Sequence, residues 1–318
     1  MTFCFSKLRV YFTTSPHPLA TMKKRWYNDS IKKKECEMRR TIEHIAESIN
    51  GDTVIREYLK RRLGFSTSLI AKVKYDGVFV NGEAVHMRHR IKNGDEIKVL
   101  MPEEVSENIA PMDIPLSIVY EDEYVLAVNK PRNMPVHPCR GNSLPTLANA
   151  VMAYLGAPFV FRAVNRLDRD TSGLVLIAKD MHSAARLCEA MKRGEFSKTY
   201  VARVMGTPSP ETGRIDAPIR RRNEGDMTRI VSPDGKPSTS EYRVVSTFDG
   251  GSVCELVPIT GRTHQLRVHM AHIGHPLIND FLYGERTDPT ETYRLHCRKL
   301  TFPHPRGEIM TLECEADF

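Results

Sequence analysis

This chain of 318 residues lacks several features that would by themselves indicate a particular class of protein. No apolar run approaches the ~18 residues of a membrane-spanning helix, and no Gly-rich Walker loop indicates a nucleotide site. Internal repeats and low-complexity tracts are absent. The seven cysteines show no CxxC spacing, which argues against a zinc ribbon or a disulfide framework and indicates a reducing compartment. We therefore expect a cytoplasmic protein.

The excess positive charge is concentrated near the N-terminus. The formal net charge of +7 and the pI near 9.0 favour a polyanionic partner. Residues 1–40 contain ten Lys or Arg against three Asp or Glu, whereas the remainder is balanced at 36 of each. We expect residues 1–50 to form a basic arm that is partly disordered. An organelle transit peptide and a true start at Met22 are alternatives.

Residues 51–100 have the pattern of a small α/β unit. The segment TVIREYLKRRLG at 53–64 has helical apolar spacing and ends in glycine. Ser66 or Ser68 can cap a second helix. The segment VFVNGEAV at 78–85 has an Asn-Gly pair between apolar residues, which predicts a hairpin. The Pro-containing, acidic segment 101–115 is expected to be a linker.

From residue 116 to 318 the chain is rich in strand patterns. Segments such as KTYVARVMG, SEYRVVSTF and RLHCRKLTF are mostly alternating and β-rich, as strands with one buried face are. Long strands with few helices between them predict an α+β fold with a mostly antiparallel central sheet, and not a doubly wound parallel sheet. The apolar content of 41% is sufficient for such a core.

The most informative run is VNRLDRDTSGLVLIAKD at 164–180. Asp168 lies between Arg166 and Arg169, ahead of a Thr-Ser-Gly turn and an apolar strand. A carboxylate in such a loop can be a nucleophile or base that its neighbours keep ionised, or half of a structural ion pair. On these residues alone the structural pair is favoured, because Asp–Arg pairs in loops are usually architectural.

The order of five segments along the chain reverses that preference. Residues 164–180 resemble the HRLDxxTSGL signature of the RluA-like family of RNA pseudouridine synthases, with Asn165 in place of the usual His. Four more segments are similar to motifs of that family, in the same order: NKPRNMPVHP (129–138), FSKTYVARV (196–204), PITGRTHQLRVHMAHIGHPLINDFLYG (258–284) and RLHCRKLTFPHP (294–305). The resemblance covers about residues 115–318 and implies a sheet split by a catalytic cleft.

The resemblance also implies a reaction and the residues that perform it. Pseudouridine formation breaks a glycosidic carbon–nitrogen bond and rejoins the uracil through carbon, so it needs no redox cofactor, and the family is metal-free. Asp168 would attack the anomeric carbon or remove the ribose 2′ proton, with Arg262 as its ion-pair partner. Tyr200 would stack on the target base. Further contacts to the substrate are expected from Lys130, Arg166 and Lys198.

Two basic segments are expected to bind RNA phosphates. Residues 51–100 resemble the small RNA-binding domain named after ribosomal protein S-four, through KYDGVFVNG at 74–82. Its basic face would comprise Arg56, Lys60, Arg61, Arg62, Lys72 and Lys74. In the second segment, at 219–231, the expected contacts are Arg220, Arg221, Arg222 and Arg229, with an ordinary exposed charged loop as the alternative. The expected partner is ribosomal RNA, or transfer RNA, bound by a monomer.

Two functions of other classes remain open. A non-catalytic RNA-binding protein explains the charge, but it does not require both the 166–173 and the 261–267 motifs. A metal-dependent nuclease could use the histidine cluster, and a chelator would abolish its activity. No acidic or Cys ligand accompanies that cluster before Asp280. Its members are His264, His269, His272 and His275.

Overall fold

A computed structural model describes residues 41–49, 51–102, 104, 108–138, 145–156, 159–286 and 288–318. The expected disorder of the N-terminal arm concerns mainly residues 1–40, which lie outside the described residues. Within the described ranges no helix is long and apolar enough to cross a membrane.

The N-terminal part folds into a small unit with its own core. Its sheet has the strand order β1-β6-β3-β4, and β2 pairs with β5. The elements are β1 (Thr41–Ile45), β2 (Thr53–Val54), α1 (Ile55–Arg61), α2 (Thr67–Val73), β3 (Val78–Val80), β4 (Glu83–Ala84), β5 (Arg90–Ile91) and β6 (Glu96–Leu100). Both predicted helices and the hairpin are therefore present.

Local chemistry explains these elements. The Ser66 hydroxyl caps α2 by accepting a hydrogen bond from the Leu69 backbone N–H at 3.1 Å. Asn81 and Gly82 have φ values of 51° and 84°, as the tight turn of a β-hairpin requires. Gly64, with φ of 72°, follows α1 in the left-handed region that favours glycine.

The small unit extends beyond the predicted boundary at residue 51, because β1 is one of its strands. This strand pairs antiparallel with β6 from Thr41↔Leu100 to Ile45↔Glu96, and Ala46 is buried in the small core. The segment is short and follows the charged residues of the arm, so its sequence TIEHI does not by itself predict a strand.

The C-terminal part is built on one nine-stranded sheet of order β11-β14-β15-β10-β16-β9-β8-β7, with β17 paired to β16. All neighbours are antiparallel except β9 and β16, which confirms the predicted α+β class and mostly antiparallel sheet. Its strands are β7 (Ile118–Glu121), β8 (Val125–Lys130), β9 (Ser172–Ala178), β10 (Ser197–Met205), β11 (Thr212–Asp216), β14 (Thr239–Phe248), β15 (Gly251–Pro258), β16 (Leu295–Pro303) and β17 (Ile309–Glu313). Outside this sheet lie the hairpin β12 (Ile219–Arg221) and β13 (Arg229–Val231), and the helices α3 (Leu147–Leu155), α4 (Met181–Lys192) and α5 (Gln265–His272).

Strand β9 lies at the centre of the large core, and all seven of its residues are buried. It continues directly from the loop that contains Asp168, so the loop is attached to a strand that is buried along its whole length. The small unit also contacts this part of the fold. The His182 Nε2 atom of α4 lies 2.7 Å from the Leu63 carbonyl oxygen, and its ring packs on Phe65 at 4.7 Å between centroids.

Candidate active site

The loop that contains Asp168 is fixed to β9 by the side chain of Asn165. Its Nδ2 donates to the Leu174 carbonyl at 3.0 Å, and its Oδ1 accepts from the Leu176 N–H at 2.8 Å. Asn165 is buried. The residue that departs from the resembled motif therefore acts here as a backbone clamp for the loop.

The Thr-Ser-Gly turn packs closely against β16. Gly173 has φ of 108°, and a Cβ atom there would overlap the backbone of Cys297, so any larger residue would push the two strands apart. Thr171 shares a hydrogen bond with the Tyr293 hydroxyl at 3.2 Å, and Ser172 shares one with His296 Nδ1 at 2.9 Å. These contacts fix the chain directly after Asp168.

The arginine that contacts Asp168 is Arg267, so the predicted Arg262 pair is wrong. Arg267 Nη1 lies 3.4 Å from Asp168 Oδ2. Arg262 is exposed, and its Nε donates to the Pro237 carbonyl at 3.1 Å. The physical reason is the start of α5 at Gln265: Arg262 lies in the turn before the helix, whereas Arg267 lies on its buried face.

Arg267 is held rigidly by a buried carboxylate and two aromatic rings. Its Nε and Nη2 donate to the two carboxylate oxygens of Asp280 at 2.6 and 2.7 Å, and only 3% of its side chain is exposed. The guanidinium carbon lies 4.2 Å from the ring centre of Tyr293 and 5.0 Å from that of Tyr283. Burial acts to lower the pKa of Arg267, but the Asp280 hydrogen bonds, together with the charges of Tyr293, Asp280 and Asp168, outweigh it and the pKa is raised. Arg267 is therefore a permanent, pre-oriented cation beside Asp168.

His264 approaches the same carboxylate oxygen from the residue before α5. Its backbone is in the left-handed region, with φ of 57°, and its Nε2 lies 3.7 Å from Asp168 Oδ2. The Tyr283 hydroxyl oxygen accepts from the Arg229 N–H at 2.9 Å, so its proton is available to His264 Nδ1 at 2.7 Å. When the Tyr283 hydroxyl donates to Nδ1, the neutral imidazole carries its proton on Nε2, facing Asp168. Burial lowers the pKa of His264, although the Asp168 charge opposes this.

Tyr200 lies on the buried face of β10, opposite Cys297. Burial, followed by the Cys297 interaction, raises its pKa well above 10, and the Asp168 charge contributes to the rise. Lys198 is half-buried on the same strand, and burial lowers its pKa. A role for either residue toward a substrate remains a prediction.

Lys130 is not placed to bind a substrate, contrary to the expectation from sequence. It is fully buried at the end of β8, and its Nζ donates to the carbonyl oxygens of Pro131, Met134 and Arg169 at 2.8, 2.8 and 3.0 Å. Because all three protons of the ammonium are used on the backbone, Lys130 ties the 131–134 loop to the Asp168 loop. Burial lowers the pKa of Lys130 to about 7, although the negative charges of Asp170 and Asp168 act to raise it.

We expect Lys130→Met to lower the free energy of unfolding by about 2 kcal/mol, since three buried carbonyls lose a donor while the cost of burying a charge is relieved. The pKa of Lys130 in the folded protein lies below that of an unfolded lysine. Between pH 7 and about 10 the unfolded chain therefore binds more protons than the folded one, and the free energy of unfolding of the wild type rises with pH.

Because the variant lacks this group, the difference in free energy of unfolding between wild type and variant should widen as the pH rises through this range. Urea denaturation at several pH values measures it, with Lys299→Met as control, since Lys299 is half-exposed and pairs with Glu313 at the surface. A gap that stays constant would contradict the lowered pKa.

The remaining predicted contact residues lie on the surface. Arg166, Arg221 and Arg222 are exposed, and Arg220 is half-buried and pairs with Asp234 at 3.0 Å. The basic residues of α1 (Arg56, Lys60 and Arg61) are also exposed.

The histidines of the cluster have separate environments. His269 bonds Ser240 Oγ and the Ala217 carbonyl, and His275 bonds the Met205 carbonyl. In the parts of the chain that the structure describes, no three His, Cys, Asp or Glu side chains are grouped to hold a metal ion.

Four residues around Asp168 were not identified from the sequence: Arg267, Asp280, Tyr283 and Tyr293. All except Tyr293 lie in the 258–284 segment, and Tyr293 immediately precedes RLHCRKLTF. The sequence contains one signal for this site: in QLRVHM, Arg267 lies between two apolar residues, which indicates that it is buried. A buried arginine requires a buried partner, such as an acidic residue nearby in the fold.

A family model described as RNA pseudouridylate synthase matches residues 124–272 of the chain. The chain is 37% identical over 257 residues to the uncharacterized RNA pseudouridine synthase YjbO of Bacillus subtilis (strain 168), covering 79% of this chain and 90% of that protein. It is 38% identical over 250 residues to ribosomal large subunit pseudouridine synthase D of Yersinia pestis, covering 77% of each.

Among solved structures, the fold is similar to that of human RNA pseudouridylate synthase domain containing 1. The TM-score is 0.56 at 30% identity, and the match covers 64% of this chain and 84% of that one.

Proposed function

The chain belongs to the RNA pseudouridine synthase family, and on that premise we propose that it isomerises specific uridines of ribosomal RNA, with Asp168 as the nucleophile or base. The observation that carries the proposal is the Asp168 carboxylate, 31% exposed and 3.4 Å from the buried Arg267 guanidinium. A reactive carboxylate needs both access to the substrate and a fixed orientation.

The chemistry follows from what this pair can do. Asp168 attacks the anomeric carbon and displaces the uracil anion, or it removes the 2′ proton as the uracil anion leaves, which gives a glycal. The freed uracil turns and its carbon five bonds to the anomeric carbon; in this step the bond to Asp168 breaks in the first route, and Asp168 returns its proton to the 2′ carbon in the second. N1 gains a proton from water, and a base then removes the proton from carbon five. Tyr200 stacks on the uracil, and Asp168 or a water relayed by Tyr200 accepts this last proton. Atoms and electrons balance without a redox cofactor or metal.

The target uridine has to leave its base stack to reach Asp168, which costs a few kcal/mol. Contacts to phosphates and to the flipped base offset this cost. Arg166, on the exposed side of the Asp168 loop, is proposed to contact the substrate there.

The small unit is proposed to be an RNA-binding domain like that of ribosomal protein S-four. Support comes from the exposed basic residues of α1 and from Tyr75, whose side chain is 81% exposed with Lys74 Nζ 4.4 Å from its ring centre. An exposed aromatic ring beside a cation suits stacking on an unpaired base. We further propose that the protein acts as a monomer in the cytoplasm.

Neutralising the α1 face should reduce the salt dependence of RNA binding. In the triple variant Arg56→Gln, Lys60→Gln, Arg61→Gln, we expect the slope of log affinity against log salt to flatten by about 2, because each lost phosphate contact contributes 0.7–0.9. Filter binding of ribosomal RNA at several salt concentrations measures the slope. A slope equal to that of the wild type would place RNA binding elsewhere.

Mapping pseudouridines in cells with and without this protein tests the proposed function. We expect one or more pseudouridines of ribosomal RNA to disappear without the protein and to return with the wild-type chain. Loss confined to transfer RNA would refute the proposed substrate, and an unchanged map of all RNA would refute the activity.

A further inference from the structure

Next to the candidate active site lies an open cavity of about 450 Å³. Hairpin β12–β13, the turn at 234–236 and the 261–263 loop surround it. Its charged lining is almost entirely cationic, with Asp234 as its carboxylate. The cationic residues are Arg220, Arg221, Arg229, Lys236 and Arg262.

Most of these cations lack a carboxylate partner. Asp234 pairs with Arg220 at 3.0 Å, but among the described residues no carboxylate oxygen lies within 4 Å of Arg221, Arg229, Lys236 or Arg262. Arginines of the neighbouring strands differ: Arg214 pairs with Asp216 and Arg243 with Glu255, each at 2.9 Å. Like charges gathered around one cavity repel each other, and an anion relieves that repulsion.

Backbone contacts hold the cationic side chains around the cavity. A Cβ on Gly235 would overlap the backbone of Ile219, and Lys236 and Ile219 exchange two backbone hydrogen bonds of 2.9 and 3.0 Å. Arg262 is fixed through its Nε to the Pro237 carbonyl at 3.1 Å, which leaves its terminal N–H groups for a ligand. Arg229 Nη1 donates to the Met227 carbonyl at 2.8 Å. Guanidinium groups fixed in this way are suited to binding phosphate oxygens.

The cavity is also connected to the catalytic carboxylate. Thr263, in its lining, directly precedes His264, which faces Asp168. The Arg229 backbone N–H donates to Tyr283, whose hydroxyl contacts the same histidine. An anion in the cavity would therefore lie close to a nucleotide at Asp168.

We infer that this cavity binds a backbone phosphate of the substrate RNA next to the target uridine. Arg262 then binds RNA through this phosphate, together with Arg221, Arg229 and Lys236. The inference rests on the proposed function, because it takes the polyanion to be the RNA substrate. It gives the predicted contact Arg221 a common ligand with Arg262.

Binding of a short oligouridylate to the full-length protein tests the inference. We expect the double variant Arg221→Gln, Arg262→Gln to bind about tenfold more weakly near 0.1 M salt and its salt slope to flatten by about 1.4, since two contacts to a single strand are lost. The matched control is Arg214→Gln, Arg243→Gln, which removes the same charge from the paired arginines. This control should bind within about twofold of the wild type, because screening limits the effect of charges far from the ligand.

Equal losses in the two double variants would overturn the inference, since only net charge would then matter. So would unchanged binding in the cavity variant. As a second measurement, an oligouridylate with an uncharged methylphosphonate backbone should bind the wild type and the cavity variant equally, and a persisting difference would also overturn it. These experiments measure binding affinity and do not depend on catalytic turnover. Their failure can therefore be distinguished from a failure of the proposed function, which the pseudouridine map tests.

Discussion

Asp168→Asn is expected to lower pseudouridine formation at least about 1,000-fold, because an amide can neither attack the anomeric carbon nor accept the 2′ proton. The substitution keeps the shape of the side chain, so RNA affinity should remain within about threefold of the wild type. Tritium release from RNA labelled at carbon five of uridine measures turnover, and filter binding measures affinity.

The matched control is Asp170→Asn, two residues along the same loop. Asp170 is buried, and both of its oxygens accept from Arg169, at 3.0 and 2.9 Å, so its role is in the fold. This variant should lose stability while its folded fraction retains turnover within about tenfold. Tritium release from Asp168→Asn at the wild-type rate would show that another group performs the chemistry.

Much of the fold could be predicted because local patterns determine it. The Asn81-Gly82 turn and the Ser66 cap each depend on two or three neighbouring residues. Strand β9 was evident from its apolar run. Strand β1 was not, because its main partner is β6, about fifty residues later, and its own alternation is short.

The site was only partly predictable, for a different reason. The 258–284 segment contains two arginines five residues apart, and which one faces Asp168 depends on where α5 begins. That start is set by the left-handed backbone of His264 and by Gln265, whose Oε1 accepts from the Arg262 N–H at 2.9 Å. Such tertiary contacts are not encoded in the spacing of the motif.

The position of Lys130 also could not be predicted from the sequence, because a residue expected at the site proves to be structural. A lysine at the start of a Pro-rich loop is expected to face the substrate, yet it is the last residue of the buried strand β8 and turns inward. Three backbone carbonyls from two loops converge on its ammonium group. Their convergence exists only in the folded chain.

Asp280→Leu should lower the free energy of unfolding by about 3–5 kcal/mol, because it leaves the Arg267 guanidinium buried without its bidentate partner. Adding Arg267→Met to it removes that charge too, and apolar side chains of similar volume often replace a buried pair without loss of stability. We therefore expect the double variant to regain most of the lost stability, as measured by urea denaturation.

Turnover should not return with stability in this double variant. Without Arg267 the Asp168 carboxylate loses the cation 3.4 Å away that orients it, and we expect about a 100-fold loss, the size of effect caused by small misplacement of a reacting group. The conservative Arg267→Lys keeps the charge but cannot bind Asp280 through two N–H groups, so it should fall between the wild type and the double variant. If the stable double variant released tritium at the wild-type rate, the Arg267–Asp280 pair would have a purely structural role.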